Sequence, residues 1–118
     1  MTPLTVAAAQ QTIGAISLNH FLVVSAGLFG IGVYGLLSKR NAVSLLMSVE
    51  LLFNAANVAL AAFARFGYGT VQPLAGQAFV LFIISIAAAE VAVAIAILLL
   101  VHRGRGTIWV DEIDLLRW

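Results

Sequence analysis

Two glutamates, Glu50 and Glu90, interrupt long apolar stretches of this 118-residue chain and are the residues best placed to do chemistry. The other three acids, Asp111, Glu112 and Asp114, belong to a polar C-terminal segment where water solvates them. An ionisable side chain deep in a membrane span costs at least about 2.5 to 3.5 kcal/mol on insertion scales, so it usually faces protein or a hydrated cavity and usually serves a function. For a carboxyl in oil that function is taking up and releasing a proton, since hydrocarbon tolerates the neutral acid far better than the bare carboxylate. Glu50 lies ten residues beyond Arg40, a rise of about 15 Å along a helix, and Glu90 lies twelve residues before His102, about 18 Å from the same face. In a hydrocarbon core about 30 Å thick both fall near the midplane, at similar depth.

Their neighbours fit that reading. On a helix Glu50, Asn54 and Asn57 follow i, i+4, i+7 spacing and share one face, a polar stripe in an otherwise apolar segment. Ala87 and Ala94 lie one turn to either side of Glu90 and leave space for a close helix or for water. Antiparallel packing with axes roughly 8 to 10 Å apart would let the two carboxyls communicate directly or through one or two waters, a contact that spacing alone leaves open. The rival reading makes both glutamates permanently neutral hydrogen-bonding glue between helices. Two at matched depth, with an asparagine stripe beside one, favour proton transfer.

The elements that must position these groups follow from composition. With 63% hydrophobic and 9% charged residues, a chain this short cannot hide its apolar side chains in a water-soluble core, so lipid must cover them. A spanning helix needs about 20 mostly apolar residues. The sequence therefore predicts an all-α membrane protein of three transmembrane helices in an antiparallel, up-down-up bundle. One apolar run extends from about Phe21 to Leu37, a second from Ala42 to about Phe63 and a third from Leu74 or Phe79 to Val101. Ser38-Lys39-Arg40-Asn41 makes a tight first turn. Arg65, Gly67, Tyr68, Gly69 and Pro73 form the second connection, where two glycines and a proline discourage helix. The expected organisation is an extension over 1–19, a transmembrane domain over 20–106 and a polar tail over 107–118. With no Lys or Arg before Lys39, the first helix is expected to act as an uncleaved insertion signal.

Short-loop cations set orientation. Lys39, Arg40, Arg103, Arg105 and Arg117 fall on one side and Arg65 alone on the other, so the first turn and the C-terminus are expected in the cytoplasm and the N-terminus outside. Tyr34 at one end and Phe63, Phe66 and Tyr68 at the other sit where interfacial aromatics belong.

Other chemistries find little support. A net charge of +1 argues against a nucleic-acid partner, and the absence of cysteine excludes thiol chemistry and cysteine-held iron–sulfur clusters in this chain. Gly30-Ile-Gly-Val-Tyr-Gly35 matches the dinucleotide letters GxGxxG without the strand, helix and water that motif needs, so these glycines are read as helix-packing residues. His20 and His102 are expected at opposite faces, where they cannot jointly ligate one haem. Energy for moving protons must then come from a partner.

The turn Lys39-Arg40-Asn41, the segment Leu46 to Asn57 (LMSVELLFNAAN), the segment Ala87 to Val93 (AAAEVAV) and the tail Val110 to Leu116 (VDEIDLL) together resemble subunit K of respiratory complex I, the NADH-quinone oxidoreductase. The resemblance runs from about Leu18 to Trp118, and residues 1–17 depart from it. It implies a non-redox subunit of the membrane arm, in hetero-oligomeric contact with other membrane-arm subunits and with the lipid bilayer. In that family the glutamates matching Glu50 and Glu90 belong to the proton path, and the basic pair matching Lys39 and Arg40 lies in a cytoplasmic loop important for coupling. Asn54 and Asn57 would support the path. The resemblance implies no cofactor in this chain, with NADH, FMN, iron–sulfur clusters and quinone bound elsewhere in the complex. Trp118 resembles the ending of photosynthetic versions that use ferredoxin, so NADH or ferredoxin is the implied donor, and a bacterial plasma or thylakoid membrane the implied location. Two alternatives stand beside it: the small membrane subunit of a multisubunit cation/proton antiporter, and a purely structural helix-packing subunit. The acidic tail and the paired glutamates favour complex I over the antiporter.

Overall fold

Length and apolarity dictate the architecture. The computed structural model describes residues 16–66 and 73–113. It consists of α1 (Leu18–Ser38), α2 (Ala42–Phe66), α3 (Pro73–Arg105) and a single 3-10 turn, Val110–Glu112. The three helices, of 21, 25 and 33 residues, are each long and apolar enough to cross a membrane, as composition requires. Residues 1–15 of the expected extension over 1–19, the second connection's Gly67, Tyr68 and Gly69, and Asp114, Arg117 and Trp118 of the tail lie outside the described residues.

Several boundaries differ from the sequence reading: α1 begins at Leu18 rather than Phe21, and α2 runs on to Phe66, so that Arg65, read as part of the second connection, lies in its last helical turn. Pro73, read as part of the connection, opens α3, because a proline's fixed φ suits the first helical position and its missing N–H has no partner there anyway. At the other end α3 continues past Val101 through His102 and Arg103 to Arg105, cations that favour the negative end of a helix dipole. Gly106 then reverses the chain at φ +69°, with its N–H donating to His102 O at 2.7 Å. At the start of α1 His20 acts as a cap: its Nδ1 accepts from the Ser17 N–H at 3.1 Å, while its own N–H donates to Ser17 O.

α2 is the middle element, and both α1 and α3 pack mainly on it. Against α1 it turns Ser48, Ala55 and Ala62, seven residues apart and all buried. A side chain on Gly32 would meet Leu52 at 2.8 Å and Ser48 O at 3.1 Å, and one on Gly35 would collide with the Ser48 hydroxyl. Those two glycines are therefore what lets the helices approach, whereas Gly27 and Gly30 face open space within this chain. Ser25 donates its hydroxyl to Ala55 O at 2.6 Å, and the Phe21 and Phe66 rings, 5.7 Å apart, close the seam at its far end. A second stripe of α2, Glu50, Asn57 and Ala64, again seven residues apart, faces the side on which α3 packs: a side chain on Gly76 would meet Ala64 Cβ at 2.6 Å. On α3 the matching burial falls at Val80 and Ala87.

The tail is not a free strand. After Gly106 it doubles back so that Asn41 and Trp109 form an isolated antiparallel bridge. The Ala42 N–H donates to Ile108 O at 2.9 Å and the Val110 N–H to Arg40 O at 3.0 Å. The first turn and the tail thus lie at one end of the molecule, as the distribution of cations implies. Very little apolar surface is covered by the chain itself: 6% of the spanning residues of α1 and of α3 are buried, and 22% of those of α2. Lipid or other proteins must cover the rest.

Candidate functional site

Helix geometry fixes the depth of the two carboxyls. From the Ala64/Gly76 contact, Glu50 lies fourteen residues back along α2 and Glu90 fourteen residues forward along α3. The helices are antiparallel, so both steps run the same way, about 21 Å, and end at one level. The matched depth expected from the sequence is present.

The two carboxyls nevertheless lie on different flanks of the seam. Successive helical residues are rotated by about 100°, so Glu90 and Val91 fall on opposite sides of the buried Ala87 stripe. Glu50 is half-buried in a groove of about 310 Å³ that it lines with Asn54, Met47, Val91 and Ile95. Glu90 is exposed within this chain and lines a separate groove of about 400 Å³ with Ile86, Ala89, Val93, Ala94 and Ile97. The Glu90 groove shares Ala94 and Ile97 with a third hollow that Leu45 and Val49 line from α2, which assigns it to the side of the seam away from Glu50. No lining residue is common to the Glu50 and Glu90 grooves. Of the two alanines read as leaving space for a close helix or for water, Ala87 is buried where α2 packs, while Ala94 lines the grooves.

The asparagine stripe divides in the same way. Asn54 shares the Glu50 groove, where its amide donates to the backbone carbonyl of Glu50 at 3.0 Å and leaves the carboxyl free for other partners. Asn57 turns into the seam, 5% exposed, and its Oδ1 is buried without a hydrogen-bond partner. An unsatisfied buried acceptor costs about 1 to 3 kcal/mol, which makes Asn57 a place where a donor is wanted.

At the cation-rich end, Lys39 and Arg40 are exposed, and Arg40 Nη1 pairs with Asp111 at 3.4 Å. Asn41 Oδ1 accepts the Val43 N–H at 2.9 Å and caps α2. Thr107 Oγ1 donates to Glu112 and accepts from the Trp109 N–H, folding the tail on itself. Asp111 and Glu112 read from sequence only as solvated acids; nothing in their types signals these partners. His20 lies in the first turn of α1 and His102 in the last turn of α3, at opposite ends of the bundle, so the two imidazoles cannot meet at one ion.

Fold and site together define a small helical membrane protein with one carboxyl on each flank of a two-helix seam. Residues 20–118 match the family of the NADH-ubiquinone/plastoquinone oxidoreductase chain 4L, and the chain belongs to that family. It is 48% identical over 101 residues to the NAD(P)H-quinone oxidoreductase subunit 4L of Leptolyngbya boryana, covering 86% of this chain and 98% of that one. It is 47% identical over 103 residues to the NADH-quinone oxidoreductase subunit K of Geobacillus sp. strain WCH70, covering 87% and 97%. The resemblance drawn from four short segments therefore extends over nearly the whole length of these relatives.

Proposed function

We propose that this chain is a non-redox, membrane-arm subunit of a proton-translocating NADH (or ferredoxin)-quinone oxidoreductase, in which Glu50 and Glu90 relay protons sideways across the α2/α3 seam. One observation carries the reading: two carboxyls stand at one level of the span, each facing its own groove on its own flank. A carboxyl on each flank suits a chain that receives protons from one neighbouring subunit and delivers them toward another. Electron transfer, with NADH, FMN, iron–sulfur clusters and quinone, belongs to other subunits, and its electrostatic consequences reach this chain through neighbours. Moving one charge against 100 mV costs about 2.3 kcal/mol, so these neighbours must supply at least that much per proton and per 100 mV. Lys39 and Arg40 face the cytoplasm in this reading and the N-terminus lies outside, in a bacterial plasma or thylakoid membrane.

The decisive experiment replaces Glu50 or Glu90 by Gln in the intact complex and measures protons pumped per electron. Glutamine keeps size and hydrogen bonding but cannot release a proton. Each variant is expected to assemble fully and to lose pumping several-fold. Normal pumping in both would overturn the relay and leave a packing role.

A further inference from the structure

Two helices can keep two residues level only if something prevents sliding along the seam, and the α2/α3 seam is poorly equipped to do so. Its buried side chains on α3 are Val80 and Ala87, smooth and small, and among the described residues no hydrogen bond joins side chains of α2 to α3 within the span. At the outer end Gly76 seats on Ala64. At the inner end the lock is made by the tail. Gly106 turns the chain, Ile108 O accepts from the first N–H of α2, and Val110 donates to Arg40 O, so three residues of tail pair with the residues that open α2. Peptide groups in an antiparallel bridge have one register; a slip by one residue breaks both bonds. Asn41, whose side chain caps α2, sits in the same bridge, so the cap and the lock stand or fall together.

We infer that the tail segment 107–112 is a positioning element: it clamps the Lys39-Arg40 turn to the end of α3, sets the register of α3 against α2, and thereby holds Glu50 and Glu90 level. The functional half of this inference rests on the proton relay proposed above; the geometric half does not. The clamp also provides a mechanical route. Any displacement of the exposed Lys39-Arg40 turn by a neighbouring subunit pulls on Ile108 and Val110, and so on α3, without passing through the oily seam.

The test uses the intact complex carrying Leu46→Cys and Ala94→Cys, two positions that line one hollow on the seam of a chain with no natural cysteine. Disulfide yield between them reads the register, and protons per electron read function. Val110→Pro removes the N–H that Arg40 O accepts and is expected to lower the disulfide yield several-fold and to lower protons per electron with it. Lower yield with unchanged pumping would uphold the clamp and overturn its functional half, that pumping depends on the register; the relay itself is overturned only by normal pumping in the Glu50→Gln and Glu90→Gln variants. Unchanged yield would overturn the clamp, whatever pumping does. If the Val110→Pro complex fails to assemble, Ala42→Pro decides, because proline suits the first position of a helix and removes the N–H that Ile108 O accepts: a reduced yield supports the clamp and an unchanged one rejects it.

Discussion

The two seams of α2 are built for different purposes. The α1 side is close and internally satisfied: Gly32 and Gly35 admit Leu52 and Ser48, and Ser25 reaches Ala55 O, with no ionisable group among the buried residues. The α3 side is looser and flanked by grooves, carries a carboxyl on each edge, and buries an asparagine oxygen with no partner. A well-packed seam stabilises and resists change, because interiors at crystal-like density do not deform smoothly. Proton traffic needs the opposite: room, unsatisfied polar atoms and the ability to rehydrate. In the proposed relay, placing both on one central helix lets α1 anchor α2 while the other face carries the protons.

The largest effect expected from this contrast is at Gly32. Gly32→Leu forces a branched side chain into Leu52 and the Ser48 carbonyl, an overpacking that costs about 1 to 3 kcal/mol or more and drives the helices apart. Loss of the subunit from the purified complex, measured by subunit-resolved mass spectrometry, is the expected result. Gly30→Leu, where nothing in this chain stands within 4 Å, tests the partner surface instead. Equal retention of both variants would mean that the α1/α2 seam is not close-packed.

Next in size is Ser25→Ala, which removes the 2.6 Å bond to Ala55 O. Hydrogen bonds between membrane helices average about 0.6 kcal/mol, so a small fall in the dissociation temperature of the solubilised complex is expected, with pumping intact. The opposite sign is expected across the helix. Asn57→Leu replaces a buried, unsatisfied amide with an apolar side chain of similar volume, and should leave that temperature unchanged or raise it, with a penalty of up to about 1 to 3 kcal/mol relieved. If Asn57→Leu destabilises instead, its Oδ1 has a donor in the intact complex and the α3 seam is as satisfied as the α1 seam.

How much of this was readable from the chain depends on which physical signal each feature leaves. Span number and carboxyl depth are legible because a lone glutamate in an apolar run stands out and the helical rise is constant. The flanks are not. α3 is apolar on most of its surface, so nothing in its residue types marks Val80 and Ala87 as the contact stripe, and a shift of one residue, about 100° of rotation, would carry Glu90 to the flank on which Val91 lies. For the same reason the stripe of Glu50, Asn54 and Asn57 was visible as one face, but not its division between groove and seam. Gly32 and Gly35 look no different in sequence from Gly27 and Gly30, since the partner that distinguishes them is on another helix. The tail leaves the least trace: its bridge to Arg40 and Ala42 is made by peptide groups, which carry no side-chain signature, and its polar letters suggest only solvation.

The smallest effect is expected at the one ion pair among the described residues, Arg40–Asp111. Both side chains remain largely in water, 77% and 62% exposed, and an ion pair so placed contributes about 0.2 to 1 kcal/mol at most. Asp111→Asn removes the charge and leaves the two backbone bonds of the bridge intact, so dissociation temperature and protons per electron should stay within experimental error of the wild type. Raising salt should be equally harmless, since at 1 M the screening length falls to about 3 Å and an exposed pair is largely silenced. Val110→Pro, which changes no charge, should be the damaging variant. The two results together separate a clamp made of peptide groups from one made of charges: if Asp111→Asn or high salt reproduced the effect of Val110→Pro, the lock at the end of α3 would be electrostatic, and the turn would be free to let go whenever a competing charge approached Arg40.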